Sequence, residues 1–501
     1  MKLSKRTLAI TVALTTGASS SAFAINLYVD TKTEQIFAKP GPNRVLMGSF
    51  VKEEEQSAKK QTSESAIAPP KESVTAETKS KESIEAEIAA IKADLENKTQ
   101  ELKTLDNQVN KPEEKAAMAK KGILPAGVTY GKRGFEFKTD DGKFSLAIQN
   151  RLQLRYATPF DADPRTLSDL EQDKSSFMVR RARTKISGNL YWPYLKYYLQ
   201  YDWSQPVLRD ANLTLDKFKW AEFRAGRGKV QYNDERVTSS GNQQFVNRSI
   251  VNDIFTVDRQ QGVDIKGNLF PKEWYDFSYY AGVYSGQGIG QRLNDDDNMM
   301  WSGRLQWNPL GGEMPFSQSD IEFHKEPNLN FAFAANTNQS PCTAFETDTN
   351  SCRALTGFTV GRAGQYRVNQ MMQETRFKWQ GLSIQQETHW KDITDTLRSQ
   401  TDQFRQINLM GGYVQAGYFF HNLIDIIPKN LEFAGRYAYV DKYSTSRTTT
   451  IGSQTETSGV MTYFFNGHSN KVNFQVSRLT AANNIVRGDN MRYWMQWDVS
   501  F

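Results

Sequence analysis

The last ten residues of the chain alternate in side-chain type from one position to the next. One face of an extended strand would carry large apolar side chains here, those of Tyr493, Met495, Trp497, Val499 and Phe501. The other face would carry polar ones, apart from Trp494: Arg492, Gln496, Asp498 and Ser500. Successive side chains of a strand point to opposite faces, so the segment predicts a strand with one apolar and one wet side. Such a strand suits the edge of a soluble sheet, or a barrel wall with lipid outside and water inside.

Repetition of this alternation along the chain favours the barrel. Similar segments lie near 144–156, 182–190, 195–203, 208–217, 219–227, 262–270, 275–285, 298–307, 328–336, 369–379, 382–393, 407–419, 431–441, 458–467, 471–479 and 490–501. Their connections alternate between short and long, as periplasmic turns and extracellular loops do. We therefore predict an all-β fold over residues 130–501, a 16-stranded antiparallel transmembrane β-barrel. Sixteen strands enclose a lumen wide enough for water and small solutes.

The N-terminus predicts export. Basic residues precede an apolar stretch at 8–14, and the small residues Ala22 and Ala24 flank Phe23 at a cleavage site. Residues 1–24 are therefore a predicted secretory signal peptide, which places the barrel in a Gram-negative outer membrane. No later segment holds about 18 uncharged apolar residues, so no transmembrane helix is expected.

Composition agrees with a barrel. A hydrophobic fraction of 38% and a mean hydropathy of −0.63 would suit a soluble protein. A wide barrel has the same values because only alternate residues touch lipid. The aromatic content of 12% fits the aromatic belts that lie at membrane interfaces. The net charge of +6 includes the signal peptide, and no nucleic-acid partner is expected.

The region before the barrel divides by composition into four parts. Residues 25–50 predict a short extended segment; a contact with peptidoglycan or a partner protein and a featureless lead are equally compatible with it. Residues 51–82 are mostly Lys, Glu, Ser and Thr, which predicts a disordered linker. Residues 83–110 carry apolar residues at spacings of 4 and 3, the pattern of a coiled coil. We predict a trimeric periplasmic stalk there, with docking of a single helix on the barrel as the alternative, and a linker at 111–129.

The two cysteines, Cys342 and Cys352, lie ten positions apart in a polar stretch. In an exported protein this spacing predicts a disulfide that closes a short loop, with two free thiols as the alternative. No metal site and no cofactor are expected.

Several cations fall on the polar phase of the first three predicted strands: Arg151, Arg181, Arg183, Lys185 and Lys196, with Arg180 beside them. If the apolar faces meet lipid, these cations project into the lumen, where rings of Arg and Lys select anions. The alternative is that each is merely a solvated wall charge. A long segment at 228–261 follows the fifth strand, carries Arg236, and is expected to fold into the lumen and narrow it.

Short motifs in this part of the chain resemble the phosphate-selective porins of the porin O and porin P type. They are MVRRA at 178–182, LKYYLQYD at 195–202, AGR at 225–227, ERVTSS at 235–240, FSL at 144–146 and NRLQ at 150–153. The resemblance implies trimers of 16-stranded barrels that pass phosphate through a basic constriction. By position it implies lumen roles for Arg151, Arg180, Arg181 and Lys196. Two positions depart from the family pattern: Arg236 stands where the family has a lysine, and Arg183 stands where it has a tyrosine. The stalk also resembles that of a related group of dicarboxylate-passing porins.

The expected function is a passive outer-membrane channel for phosphate or a similar oxyanion. Alternatives are a channel for dicarboxylates or other organic anions, or an envelope tether whose pore is incidental. An enzyme is not expected, because none of the four histidines lies in a recognisable catalytic motif.

Overall fold

A computed structural model describes the chain in separate stretches. They are residues 25–30, 36–37, 44–50, 98–100, 127–164, 167–289, 293–345, 353–441, 452–482 and 487–501. Among these residues, no helix is both long enough and apolar enough to cross a membrane.

The chain divides into two compact units, Met1–Leu102 and Lys103–Phe501. In the first unit, β1 (Ile25–Asp30), β2 (Ile36–Phe37) and β3 (Arg44–Phe50) form an antiparallel sheet in the order β2-β1-β3. The predicted signal peptide and the linker at 51–82 lie outside the described residues. The predicted stalk is described only at residues 98–100, which are helical. The linker at 111–129 is described only at 127–129.

Sixteen strands of the second unit form the barrel wall. They are β6 (Ser145–Thr158), β7 (Ser176–Leu190), β8 (Trp192–Asp202), β9 (Val207–Phe218), β10 (Ala221–Lys229), β11 (Arg259–Leu269), β12 (Phe277–Tyr284), β13 (Met300–Leu310), β14 (Asn328–Ser340), β15 (Tyr366–Trp379), β16 (Leu382–Asp395), β17 (Gln406–Tyr418), β18 (Leu431–Asp441), β19 (Ser453–Asn466), β20 (Asn470–Ala482) and β21 (Arg487–Ser500). Each overlaps one predicted segment. Consecutive strands pair antiparallel, and β21 closes the ring on β6, from Tyr493 opposite Thr158 to Ser500 opposite Arg151. The predicted 16-stranded barrel is therefore confirmed.

A short hairpin of β4 (Val128–Gly131) and β5 (Gly134–Lys138) extends the wall beside the start of β6. Phe135 lies opposite Ile148, so β5 covers the part of β6 that β21 does not reach. Gly134 has φ of 82°, and a Cβ there would lie 2.1 Å from the carbonyl oxygen of Ile148. Only glycine fits this turn without displacing the neighbouring strand.

The two faces of the wall differ as the alternation predicts. On β20, Phe474 and Val476 are 44% and 43% exposed on the outer face, whereas the neighbouring inward-facing Gln475 is 1% exposed. Exposed aromatic side chains crowd the end of the barrel that carries the β7–β8 connection, which we call the turn end: Tyr191, Trp192, Phe218, Trp220, Phe270 and Trp274. An apolar outer face with an aromatic belt matches a wall in contact with lipid.

The segment between β10 and β11, which we call the inward loop (residues 230–258), folds into the barrel. It contains α1 (Asp234–Val237) and α2 (Ile250–Phe255). Its apolar residues form the largest buried cluster with side chains of the opposite wall, including Val368, Met372 and Ile393. The core of this molecule thus lies inside the barrel, where apolar inward positions of β15 to β18 receive the loop.

The connection at 311–327 joins β13 to β14 at the turn end and also reaches the inward loop. Gln318 donates its backbone N–H to the carbonyl oxygen of Asn242 at 3.0 Å. Its side-chain oxygen accepts from the backbone N–H of Gln244 at 2.9 Å. This connection is long for the turn end, and its contact with the inward loop gives it a structural role.

Candidate functional site

The inward loop leaves one side of the lumen open. A cavity of about 330 Å³ lies between the loop and the wall formed by β6 to β11. Its lining comprises Arg151, Arg183, Lys185, Tyr198, Gln200, Asp210, Asn212, Thr214, Glu222, Arg224, Lys229, Gln231, Val237, Ser239, Ser240, Arg259, Asp264 and Lys266. The wall positions come from the polar phase of the strands, which the barrel turns inward, except Lys229 and Arg259 at the ends of β10 and β11 that meet the inward loop.

The lining contains seven cations and three carboxylates. The cations are Arg151, Arg183, Lys185, Arg224, Lys229, Arg259 and Lys266; the carboxylates are Asp210, Glu222 and Asp264. An excess of cations against a low-dielectric wall concentrates a positive potential in the water of the cavity. The cavity is therefore suited to anions.

Five of the seven cations form an ion pair with a carboxylate. The N···O distances are 2.8 Å for Arg151–Asp498, 2.7 Å for Arg183–Asp202, 2.5 Å for Arg224–Asp264, 3.0 Å for Arg259–Asp210 and 3.2 Å for Lys266–Glu222. Arg151 is held most completely, since its Nε and Nη2 both donate to Asp498 at 2.8 Å. Its Nη1 donates to Ser240 of the inward loop at 3.1 Å. These pairs hold the four guanidinium groups and the Lys266 ammonium group in place and reduce the net charge of the lining.

The two remaining cations differ from each other. Lys229 donates to three loop carbonyl oxygens at 2.7, 3.0 and 3.3 Å, those of residues 236, 237 and 238, which saturates its ammonium group. Lys185 donates to the side-chain oxygen of Gln149 at 3.0 Å. Among the described residues, no carboxylate forms an ion pair with Lys185, which remains partly exposed. Its ammonium group is the cation most available to a ligand in the cavity.

The structure brings together some of the predicted site residues and separates others. Arg151 and Arg183 lie directly opposite each other on β6 and β7 and line the cavity with Lys185. Arg180 and Arg181 do not belong to the lining. Arg181 faces inward in unbroken register with Arg183, is buried, and donates from Nη1 to the side-chain oxygen of Gln153 at 2.9 Å. The register between β6 and β7 shifts just beyond it, where Leu154 opposes Val179. This bulge leaves Arg180 as an extra residue. Its Nε lies 3.8 Å from Asp161.

Lys196 and Arg236 are also absent from the lining of the cavity. The side chain of Lys196 is 52% exposed near the turn end and forms an ion pair with Asp216. Arg236 is buried in the inward loop and pairs with Asp258. Burial alone would raise the pKa of the Asp258 carboxyl, but the charges of Arg236 and Arg259 outweigh it and hold that pKa below its usual value.

Four lining cations were not predicted as site residues: Lys229 and Arg259, which flank the inward loop, and Arg224 and Lys266. In the register between β10 and β11, Arg224 lies opposite Asp264, and Lys266 lies opposite Glu222. Both cations belong to predicted strands and to their polar phase. Cross-strand pairs of opposite charge on one face were the signal that could have identified them.

Among the described residues, Cys342 and His468 are reactive side chains that lie outside the cavity lining. Cys342 is disulfide-bonded; Cys352 lies outside the described residues, so the pairing of the two stays a prediction. No group of three or more His, Cys, Asp or Glu in the described stretches is placed to hold a metal ion. His468 approaches the Ser317 hydroxyl at 2.9 Å, but its other ring nitrogen lies 3.4 Å from Lys471 Nζ. A cation there cannot orient the imidazole as the carboxylate of a hydrolase triad does.

A family model described as phosphate-selective porin O and P matches residues 148–485. No curated protein matches the chain. Among solved structures, in-vitro folded OmpT, an outer membrane protein of Vibrio cholerae, is 9% identical with a TM-score of 0.46, over 73% of this chain and 99% of its own. An anion-selective porin from Comamonas acidovorans is 9% identical with a TM-score of 0.46, over 72% and 100%. The outer membrane channel DcaP of Acinetobacter baumannii is 9% identical with a TM-score of 0.43, over 73% and 99%.

Proposed function

This chain belongs to the family of phosphate-selective porins O and P, and we propose that it passes phosphate or a similar oxyanion by passive diffusion. The family resemblance noted in the sequence is thereby confirmed, and the chain is an outer-membrane anion porin. The finer proposal, a preference for phosphate, is supported by the charge and geometry of the cavity.

The proposed mechanism is electrostatic. The cationic excess raises the local concentration of anions, and the water-filled cavity lets them approach the wall. Forked guanidinium groups such as those of Arg151 and Arg183 suit the oxygens of phosphate. Because both are already paired with carboxylates, they offer an anion only part of their charge. Partial neutralisation keeps binding weak enough for the anion to leave again, which conduction requires.

The observation that carries this proposal is the placement of Lys185. It lies two residues from Arg183 on the same face of β7, and its cross-strand neighbours on either side are the neutral Gln149 and Gln200. An anion in the cavity would therefore meet Lys185, whose hydrogen-bond partner is neutral, beside Arg151 and Arg183, which are each already paired with a carboxylate. We propose that Lys185 is the first contact of the permeating anion at the narrow part of the passage.

The test is conductance in planar bilayers with chloride as the carrier and phosphate added as a blocker. Lys185→Gln should weaken phosphate block by roughly five- to tenfold, the effect of about 1 to 1.4 kcal/mol. The matched control is Lys266→Gln, which removes an equal charge from the same cavity but one already paired with Glu222 at 3.2 Å. Equal effects of the two changes, or no block by phosphate in the unmodified channel, would contradict the proposal.

Succinate added in place of phosphate separates the two classes of anion. Stronger block by succinate would identify a dicarboxylate channel that uses the same cations. Stronger block by phosphate would support the preference proposed here.

We also propose that the barrel assembles as a homotrimer with the N-terminal region in the periplasm. The family assignment and the heptad pattern of residues 83–110 support this arrangement. Light scattering of the detergent-solubilised protein should give, after correction for detergent, three times the mass of the mature chain, which is the 57.1 kDa of the full sequence less the predicted signal peptide. A mass of one chain would contradict it.

A further inference from the structure

The first turn of the inward loop is attached to the far wall of the barrel by two neighbouring carboxylates. Glu374 on β15 and Glu387 on β16 lie directly opposite each other in the strand register and are 2% and 0% exposed. Glu374 accepts the backbone N–H of Asp234 at 2.9 Å. Glu387 accepts the backbone N–H of Glu235 at 2.8 Å. Two like charges side by side in a buried site repel each other and need compensating donors. The loop N–H groups supply two of these donors, and Arg304 supplies a further one to Glu374.

The barrel wall supplies the hydrogen-bond acceptors that the two short helices of the inward loop lack at their N-termini. The residues that precede α1 and α2, Asn233 and Ser249, form no side-chain cap to their own helix. The first N–H groups of a helix have no partner within it and require acceptors from elsewhere. For α2 the acceptor is again a strand carboxylate, since Glu456 receives the backbone N–H of Ile250 at 3.1 Å.

Glu387 differs from the other two carboxylates in its partners. Glu374 also contacts Arg304 at 3.2 Å, and Glu456 contacts Arg436 at 2.6 Å. In the described part of the chain no Arg or Lys pairs with Glu387. Its remaining oxygen accepts from Asn233 Nδ2 at 3.0 Å and faces the ring nitrogen of His389 at 3.0 Å. Loop donors therefore supply much of what replaces water around this buried charge.

The attachment lies close to the cavity along the chain. Val237, the last residue of α1, lines the cavity, as do Ser239 and Ser240 just beyond it. A movement of α1 away from the wall must therefore move the lining opposite Arg151, to which Ser240 is hydrogen-bonded.

We propose that Glu374 and Glu387 are positioning residues of the constriction: they hold the inward loop on the far wall and thereby set the width of the anion passage. This inference rests on the proposed function only in so far as the cavity is the passage. The two carboxylates do not line the cavity, so they act on permeation through the loop backbone rather than by contact with the anion.

The test compares Glu387→Gln and Glu374→Gln with the unmodified channel in chloride. Both should raise single-channel conductance roughly twofold and weaken phosphate block, because a loosened loop widens the passage and moves Ser240 from Arg151. The matched control is Asp276→Asn, a carboxylate that is 1% exposed, accepts from Asn268 and Asn308, and does not touch the loop. Heat-modifiable migration on gels reports that each barrel is folded. Folded Glu387→Gln channels with unchanged conductance would overturn the inference.

A second variant keeps the test decisive if Glu387→Gln fails to fold. Asn233→Ala removes the loop donor of the hydrogen bond to Glu387 and leaves the wall carboxylate in place. Its conductance should rise above that of the unmodified channel, by less than the change expected for the wall variants, because Glu387 still accepts the backbone N–H of Glu235. Folded Asn233→Ala channels with unchanged conductance would also overturn the inference. A conductance change without any phosphate block would leave the positioning role intact and refute only the phosphate preference.

Discussion

The two halves of the lumen are built by the same strand alternation and yet present opposite environments. The β6 to β11 half is open and lined with cations, whereas the β13 to β20 half is filled by the inward loop. Cations are abundant in the filled half as well, but they contact the loop: Lys391 donates to the carbonyl oxygen of Ile254 at 2.9 Å, and Arg436 to that of Asn247 at 3.1 Å. The comparison teaches that a positive charge on an inward-facing side chain does not by itself identify the residue as pore-lining. What matters is whether another segment covers it.

The filled half depends most on apolar contact, so the largest expected effect comes from Phe255→Ala. Phe255 is 0% exposed and stacks on His389 with ring centroids 5.5 Å apart. Truncation of a buried phenylalanine costs about 3 to 5 kcal/mol, which would release the loop from its wall. Trypsin should then cut at Arg236 or Arg248, which are 2% and 7% exposed in the folded protein.

The control for this change is Phe474→Ala, which removes a phenylalanine that is 44% exposed on the outer face. It should leave both arginines protected. Equal protection of the loop in the Phe255→Ala barrel would mean that polar contacts alone hold the loop, and would weaken the contrast between the two halves.

A change that makes the open half more cationic should have an effect of intermediate size, on phosphate block. Glu222→Gln releases Lys266 from its partner, and the side chain of Lys266 is already 44% exposed, so the cost in stability should be small. We expect phosphate block to strengthen roughly twofold, by the gain of one uncompensated charge screened by water. Titration of phosphate in chloride currents measures it. Weaker block would mean that the anion does not pass near β10 and β11.

The smallest effect is expected outside the cavity, for Lys196→Gln. The Lys196 side chain is 52% exposed, and its partner Asp216, which is 9% exposed, keeps a second ion pair with Lys219 at 3.5 Å. The change should therefore cost little stability, within the range of about 0 to 1 kcal/mol for pairs that involve an exposed lysine. Reversal potentials in a salt gradient should stay close to those of the unmodified channel and should change less than in Lys185→Gln. A large shift would restore Lys196 to the passage, as the family resemblance implies.

The sequence was sufficient to predict the wall. Period-two alternation sets which face of each strand meets water, and all sixteen predicted segments overlap a strand. The inward placement of Arg151, Arg183 and Lys185 follows from the same alternation. The length and position of the segment at 228–261 also predicted that this connection folds inward.

The rest of the site could not be obtained in this way. Alternation does not reveal the bulge that makes Arg180 an extra residue. It does not show either that Arg181, although it faces inward, is buried against Gln153 and lies outside the cavity lining. It also gives no height along the barrel axis, so Lys196 could not be distinguished from Lys185. The burial of Arg236 depends on how the loop packs, and that packing is set by contacts with strands far away in the sequence, such as those of Glu374 and Glu387.

The half-filled lumen makes the passage eccentric rather than axial. A solute that crosses it stays beside one wall for the length of the constriction, so its motion resembles hopping along a charged surface more than flow through a tube. Anions on that surface must then bind one after another at a small number of sites, and we expect conductance to level off once these sites are occupied. Saturation at modest anion concentration is thus a consequence of where the loop lies.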